Sequence, residues 1–105
     1  MCILKENVVL NAYGSSIVLK DNVVIGQNFV IYGNGGVHMG DALVLGPLSL
    51  IVASNHVFQN TEVPFMFQGE SRCGLEIADN VWGARNVTVC DGVKIGANEV
   101  IRAGV

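Results

Sequence analysis

Aliphatic residues return at intervals of six along most of this chain, and this period is the strongest indication of its fold. In residues 77–101, IADNVWGARNVTVCDGVKIGANEVI, an aliphatic residue or glycine occupies every sixth position. The register extends back to Leu19, with two additional residues in the unit that begins at Ile31. An α-helix repeats every 3.6 residues and a strand every two, so neither explains the pattern. The sixth positions are Leu19, Ile25, Ile31, Met39, Leu45, Ile51, Ile77, Gly83, Val89, Ile95 and Ile101.

A repeat of six has a simple physical account, in which each unit supplies one short strand and one corner. Three units close a triangular coil of about 18 residues, with aliphatic side chains inside and small or turn-prone residues at the corners. Successive coils stack as parallel strands about 4.8 Å apart. The sequence therefore predicts an all-β fold, a parallel β-helix of hexapeptide repeats with about five coils, in a single domain over residues 1–105. An ordinary sandwich of short strands is the alternative.

Residues 57–76 break the repeat and predict one extruded loop. An insertion of this length in a compact repeat fold is usually functional. The loop contains Phe58, Phe65, Met66 and Phe67, which are too apolar to be left in water. These side chains either pack on the domain's own face or reach a neighbouring subunit.

Composition narrows the classes of partner. The net charge of −3 disfavours nucleic acid and anionic membrane surfaces. No stretch approaches the about 18 consecutive apolar residues of a membrane span, and the start, MCILKENVV, lacks the features of a signal peptide. The three cysteines show no CxxC spacing and are typical of reduced thiols. We therefore expect a cytoplasmic protein with no nucleic-acid or membrane partner.

Hexads of the form I-G-x-x-V-x, the segment IGANEVI-RAGV and the VW pair before Gly83 and Ala84 resemble the hexapeptide-repeat acyltransferases. The nearest branch is that of the xenobiotic, maltose and galactoside O-acetyltransferases, and the resemblance covers roughly residues 19–105. It implies a left-handed β-helix, a homotrimer and active sites between neighbouring subunits. It also implies transfer of an acetyl group from acetyl-CoA to a hydroxyl or amine of a small molecule, such as a sugar or an antibiotic.

His56 is the candidate catalytic residue. It closes the hexad IVASNH directly before the loop, where the resembling enzymes have their general base. Imidazole titrates near neutrality and accepts the proton of an attacking hydroxyl or amine. A lone histidine is more often a surface or structural residue, so this role depends on the resemblance.

The resemblance implies that Trp82, Phe65 and Asn34 bind the acceptor. Trp82 is the only tryptophan and should point outward, which is costly unless a pocket or an interface covers it. Subunit packing is the alternative role for this side chain. For Phe65, the resemblance favours a loop that reaches the neighbouring subunit and walls the active site.

The resemblance implies that four residues bind coenzyme A, because they follow the VW pair or lie in the final repeat. These residues are Ala84, Arg85, Ala103 and Gly104. Arg85 and Ala103 are separated by three hexads, the length of one full coil, so we expect them at one position on adjacent coils. An ordinary solvated basic face is the alternative.

The same arithmetic predicts that His38 and His56, which are also separated by three hexads, stack at one corner. Such a pair suggests zinc, because the γ-class carbonic anhydrases share the fold. Those enzymes use three histidines and this chain has two, so we expect no metal. Lys94 falls in the same column. Glu76 either pairs with Lys94, which we favour, or orients the imidazole of His56.

Three departures from the resembling enzymes leave a second hypothesis open beside the enzyme. Gly83 replaces an inward isoleucine, at a cost of about 2–4 kcal/mol, which a register shift with Asn86 as an additional residue would offset. Arg102 stands where glycine is usual, and the resembling enzymes continue past the position of Val105 with a further coil. The second hypothesis is a non-catalytic binding or assembly module derived from such an enzyme.

Overall fold

Short strands make up nearly all of the regular structure in this computed structural model, which describes residues 1–105. One 3-10 turn, η1, covers Phe65–Phe67. The strands are β1 (Ile3–Leu4), β2 (Val9–Asn11), β3 (Ile17–Leu19), β4 (Val23–Ile25), β5 (Val30–Tyr32), β6 (Val37–Met39), β7 (Leu43–Leu45), β8 (Leu50–Val52), β9 (Asn55–His56), β10 (Glu70–Ser71), β11 (Leu75–Ile77), β12 (Val81–Gly83), β13 (Thr88–Val89), β14 (Lys94–Ile95) and β15 (Val100–Ile101).

Three parallel sheets form the faces of a triangular prism. Face A has the order β1-β4-β7-β12-β15, face B the order β2-β5-β8-β13, and face C the order β3-β6-β11-β14. The chain visits A, B and C in turn, so β1–β3 form coil 1, and β15 begins a fifth coil. The predicted all-β, parallel β-helix is confirmed.

The aliphatic column predicted from the period of six lies inside the prism. Ile25, Ile31 and Leu43 are fully buried, and 15 hydrophobic residues form one core cluster. The outward residue between two inward ones is more exposed, as Val44 and Trp82 illustrate on face A. The repeat also begins earlier than predicted, because β1 and β2 pair in parallel with β4 and β5.

The coils are not of equal length. Ile3 pairs with Val24 and Val24 pairs with Val44, so coils 1 and 2 are each longer than three hexads. Trp82 pairs with Val100, and this last step is three hexads long. The additional residues of coils 1 and 2 lie between faces B and C, in segments 12–16 and 33–36. The predicted length of three hexads per coil is therefore wrong for coils 1 and 2 and correct for the coil that begins at β12.

Left-handed backbone turns the chain at the corner between faces C and A. The four residues there have φ between +55° and +63°: Asn22, Ala42, Asn80 and Asn98. Asparagine tolerates this conformation better than most residues. Aspartates before three of them link the coils, because Asp79 Oδ1 accepts the Asp41 N–H at 2.7 Å and Asp41 Oδ1 accepts the Asp21 N–H at 2.9 Å.

Gly83 takes the inward position without any shift of register. It pairs with Leu45 on one side and Ile101 on the other, and a cavity of about 10 Å³ lies beside it. Asn86 serves as a corner residue with φ +53°. The predicted compensating shift at Asn86 does not occur, because the strands on both sides hold Gly83 in register.

Replacement of two glycines by alanine is expected to change the free energy of unfolding in opposite directions. A Cβ on Gly46 would overlap the Ala84 carbonyl oxygen, whereas a Cβ on Gly83 would lie 3.3 Å from the movable Leu45 Cδ2. We expect Gly46→Ala to lower the free energy of unfolding by about 2 kcal/mol or more. We expect Gly83→Ala to raise it by about 0.5 kcal/mol, through a smaller entropy loss on folding. Urea denaturation measures both, and equal destabilisation would contradict the described coil packing.

Candidate functional site

The corner between faces B and C holds the largest irregularity of the coil. In coil 3 the chain leaves this corner after β8 and returns at β11. Within the excursion, β9 and β10 pair as an antiparallel hairpin with His56 opposite Glu70. The extruded loop is therefore confirmed with different limits, because His56 already belongs to the hairpin and Glu76 has rejoined the coil in β11.

A pocket of about 420 Å³ opens between this hairpin and the coil corner. His56 and Asn34 both line it, although they belong to different coils and are distant in the sequence. Tyr32, Glu70 and Arg72 contribute further polar and aromatic lining. The structure thus brings together the candidate base and one of the three residues predicted to bind the acceptor.

A polar network fixes one wall of the pocket. Glu70 Oε2 lies 3.4 Å from Arg72 Nε and accepts a 3.4 Å hydrogen bond from Asn34 Nδ2. Arg72 Nη1 donates to the carbonyl oxygen of Tyr13 at 3.5 Å. These contacts tie the hairpin to coils 1 and 2, and the charges of Glu70 and Arg72 balance each other within the pocket.

Tyr13 is a pocket residue that the sequence reasoning missed. Its backbone is left-handed, with φ +48°, and its ring packs edge-on against Tyr32 at a centroid distance of 5.2 Å. Left-handed backbone at an aromatic residue is unfavourable and is often found at functional sites. The Tyr13-Gly14 pair is a turn signal in the sequence, but the repeat is faint in this region and does not single it out.

The loop beyond His56 exposes its apolar side chains. Phe58, Phe65, Met66 and Phe67 are between 58% and 74% exposed, and none packs on the domain's own core. His56 lines a second pocket of about 490 Å³ on the loop side, together with Phe58 and Gln59, and Phe65 lines neither of these two pockets. Of the two roles foreseen for the loop, packing on its own face is wrong, and contact with a neighbouring subunit stays a prediction.

Trp82 lies in the middle of an apolar strip on face A. It points outward as predicted and is 55% exposed, between Val44 and Val100 in the register of the sheet. Ile3 and Val24 continue the strip along coils 1 and 2. No pocket of the structure is lined by both Trp82 and His56.

The residues predicted to bind coenzyme A lie at the corner between faces A and B. The Gly104 N–H donates to the Arg85 carbonyl oxygen at 3.0 Å, and Gly83 pairs with Ile101. Arg85 and Ala103 therefore occupy one column on adjacent coils, as predicted. Ala84 and Gly104 belong to the same corner. This corner is separated from His56 by the width of face B.

His38 and His56 do not stack, which corrects the prediction from a uniform coil. His38 lies on face C, where its neighbour in the next coil is Glu76, followed by Lys94. The step from coil 2 to coil 3 is longer than three hexads, and the excursion removes His56 from the column altogether. No group of three potential metal ligands lies together in the structure.

Glu76 and Lys94 are cross-strand neighbours but form no ion pair, so the favoured pairing is correct in register and wrong in contact. The only ion pair of the structure joins Arg72 and Glu70. Glu76 is also in the wrong place to orient His56, because it is the register partner of His38 on face C.

The structure contains no helix that could span a membrane.

Comparison with known proteins gives one informative relative. No family model matches the chain, and no solved structure gives a significant match. A Saccharomyces cerevisiae protein named "Putative acetyltransferase YJL218W" is 37% identical to it over 93 residues. The match covers 88% of this chain and 46% of the yeast protein, so the chain spans about half the length of that relative. The chain is therefore a parallel β-helix, and its sequence is similar to that of a protein named as a putative acetyltransferase.

Gln68 supplies a test of how the loop after His56 is held. Its Nε2 donates to the carbonyl oxygens of Asn60 and Val63, both at 2.7 Å, and its Oε1 accepts the Asn60 N–H at 3.3 Å. We expect Gln68→Ala to speed hydrogen exchange in residues 57–69 by about tenfold, while the coils keep their protection. Gln59→Ala, in the same loop with no such bonds, is the control. Equal effects of the two variants would contradict this role.

Proposed function

We propose that this chain carries the acyl-transfer site of a CoA-dependent acetyltransferase. The acceptor is a hydroxyl or amine of a small molecule, and acetyl-CoA is the donor. The observation that carries the proposal is the placement of His56 beside Asn34 in a pocket at the point where the hairpin leaves the coil. The 37% identity to the yeast protein, whose name includes acetyltransferase, supports the same reaction class.

The proposed chemistry needs one base and a polar pocket. The acceptor oxygen or nitrogen attacks the thioester carbonyl carbon, and His56 removes the acceptor proton. The carbon–sulfur bond then breaks, and coenzyme A leaves as the thiol with that proton. Backbone N–H groups stabilise the oxyanion of the intermediate. His56 is suited to the task because the residue is exposed, lines the pocket and makes no side-chain hydrogen bond to the protein.

The arrangement of the candidate residues favours a site shared between subunits. His56 and Asn34 lie at the corner between faces B and C, whereas Arg85 and Gly104 lie at the corner between faces A and B. A donor held at the second corner of one chain reaches the first corner of another chain in a closed, threefold assembly. The apolar strip around Trp82 would be covered in the same assembly. We therefore propose a homotrimer, with Phe65 on the loop contacting the neighbouring subunit.

Replacement of His56 tests the proposed base. We expect His56→Ala to lower kcat for acetyl transfer by about 100-fold or more, because general-base catalysis contributes about that much. Acetyl-CoA turnover with a panel of hydroxyl and amine acceptors provides the assay. Light scattering of the variant should give the mass of the wild-type oligomer.

His38→Ala is the matched control, because it removes the other histidine from a different face of the prism. Its activity should equal that of the wild-type protein. Retention of full activity by His56→Ala would refute the base assignment. Failure of the wild-type protein to turn over acetyl-CoA with any acceptor would favour the second hypothesis, a non-catalytic binding or assembly module.

A further inference from the structure

The hairpin places a carboxylate directly opposite the candidate base. Glu70 and His56 are register partners, and the Val57 N–H donates to the Gly69 carbonyl oxygen at 3.0 Å. Because that bond joins residues flanking the pair, Glu70 and His56 form a non-hydrogen-bonded pair. In such a pair the Cα atoms approach to about 4.5 Å, and the two side chains leave the same face of the hairpin.

Glu70 is anchored through only one of its two oxygens. Arg72 and Asn34 both contact Oε2, at 3.4 Å each. Oε1 has no hydrogen bond to the protein and belongs to a side chain that lines the same pocket as His56. The carboxylate is therefore restrained in position while one oxygen stays available to a neighbouring donor.

We infer that Glu70 is the positioning residue of His56, an inference that rests on the proposed function. Oε1 accepts a hydrogen bond from one ring nitrogen of His56 in solution, and this bond tightens when the acceptor is bound. This bond leaves the other nitrogen unprotonated toward the acceptor, and the carboxylate stabilises the imidazolium that forms on proton transfer. His56 and Glu70 form no ion pair in this structure, and catalytic hydrogen bonds commonly tighten only when substrate binds.

Two further residues hold the carboxylate of Glu70 in place through this polar network. Arg72 holds Glu70 and connects it to the carbonyl oxygen of Tyr13, so the carboxylate cannot rotate away from the pocket freely. Asn34, which the resemblance implies in acceptor binding, donates its amide to Glu70 and so acts on His56 indirectly. The sequence suggests Glu76 as one candidate to orient the imidazole of His56. We assign that role to Glu70, because the hairpin register pairs Glu70 with His56.

Glu70→Gln tests the inference in the whole chain. It keeps the size of the side chain and removes the charge, and we expect kcat to fall about tenfold with KM unchanged within about twofold. Glu70→Asp restores the charge and should recover part of the loss. Glu62→Gln makes the same charge change in the same loop, outside the pocket, and should match the wild-type protein. Thermal unfolding of each variant shows that the coils remain folded.

A second readout needs no activity. Two-bond ¹H–¹⁵N correlation spectra of the His56 imidazole report which ring nitrogen carries hydrogen, with His38 as internal reference. We expect one dominant tautomer in the wild-type protein and a mixture of tautomers in Glu70→Gln. If the wild-type protein shows no acetyl transfer, the proposed function fails and these spectra alone decide the pairing. Wild-type kcat in Glu70→Gln, or identical His56 spectra in an inactive protein, would overturn the inference.

Discussion

The register between stacked coils is the constraint on which the rest of this molecule depends. Side chains in a strand alternate between the two faces, so a slip of one residue would turn the buried aliphatic column out to solvent. Each coil must therefore reach every face with its inward residue in phase. Gly83 shows how strict this is, because the pairing with Leu45 and Ile101 is kept even where no side chain fills the interior.

Irregular chain is confined to the corners as a consequence. Left-handed residues such as Asn80 turn the backbone without disturbing the strands, and the additional residues of coils 1 and 2 accumulate between faces B and C. The long excursion leaves the prism at that same corner, and its hairpin closes a pocket there. A rigid coil thus positions a variable loop, which is the usual division between scaffold and functional site.

Much of the fold follows from the sequence, because a period of six with corner glycines and asparagines has few other physical explanations. The outward direction of Trp82 and the column shared by Arg85 and Ala103 follow from the same period. The period misplaces His38 and His56, because a uniform coil ignores the longer first coils and the departure of the chain after β8. The pocket itself is less predictable, since hairpin strands of two residues carry too little pattern to fix the pairing of Glu70 with His56.

In the proposed function, two corners from different chains form one acetyl-CoA site. The decisive experiment is calorimetric titration of the purified protein with acetyl-CoA, after light scattering has fixed its mass. We expect a trimer that binds acetyl-CoA with a Kd in the micromolar range, a binding free energy of roughly −8 kcal/mol. A monomer, or a trimer with no detectable binding at millimolar acetyl-CoA, would contradict it.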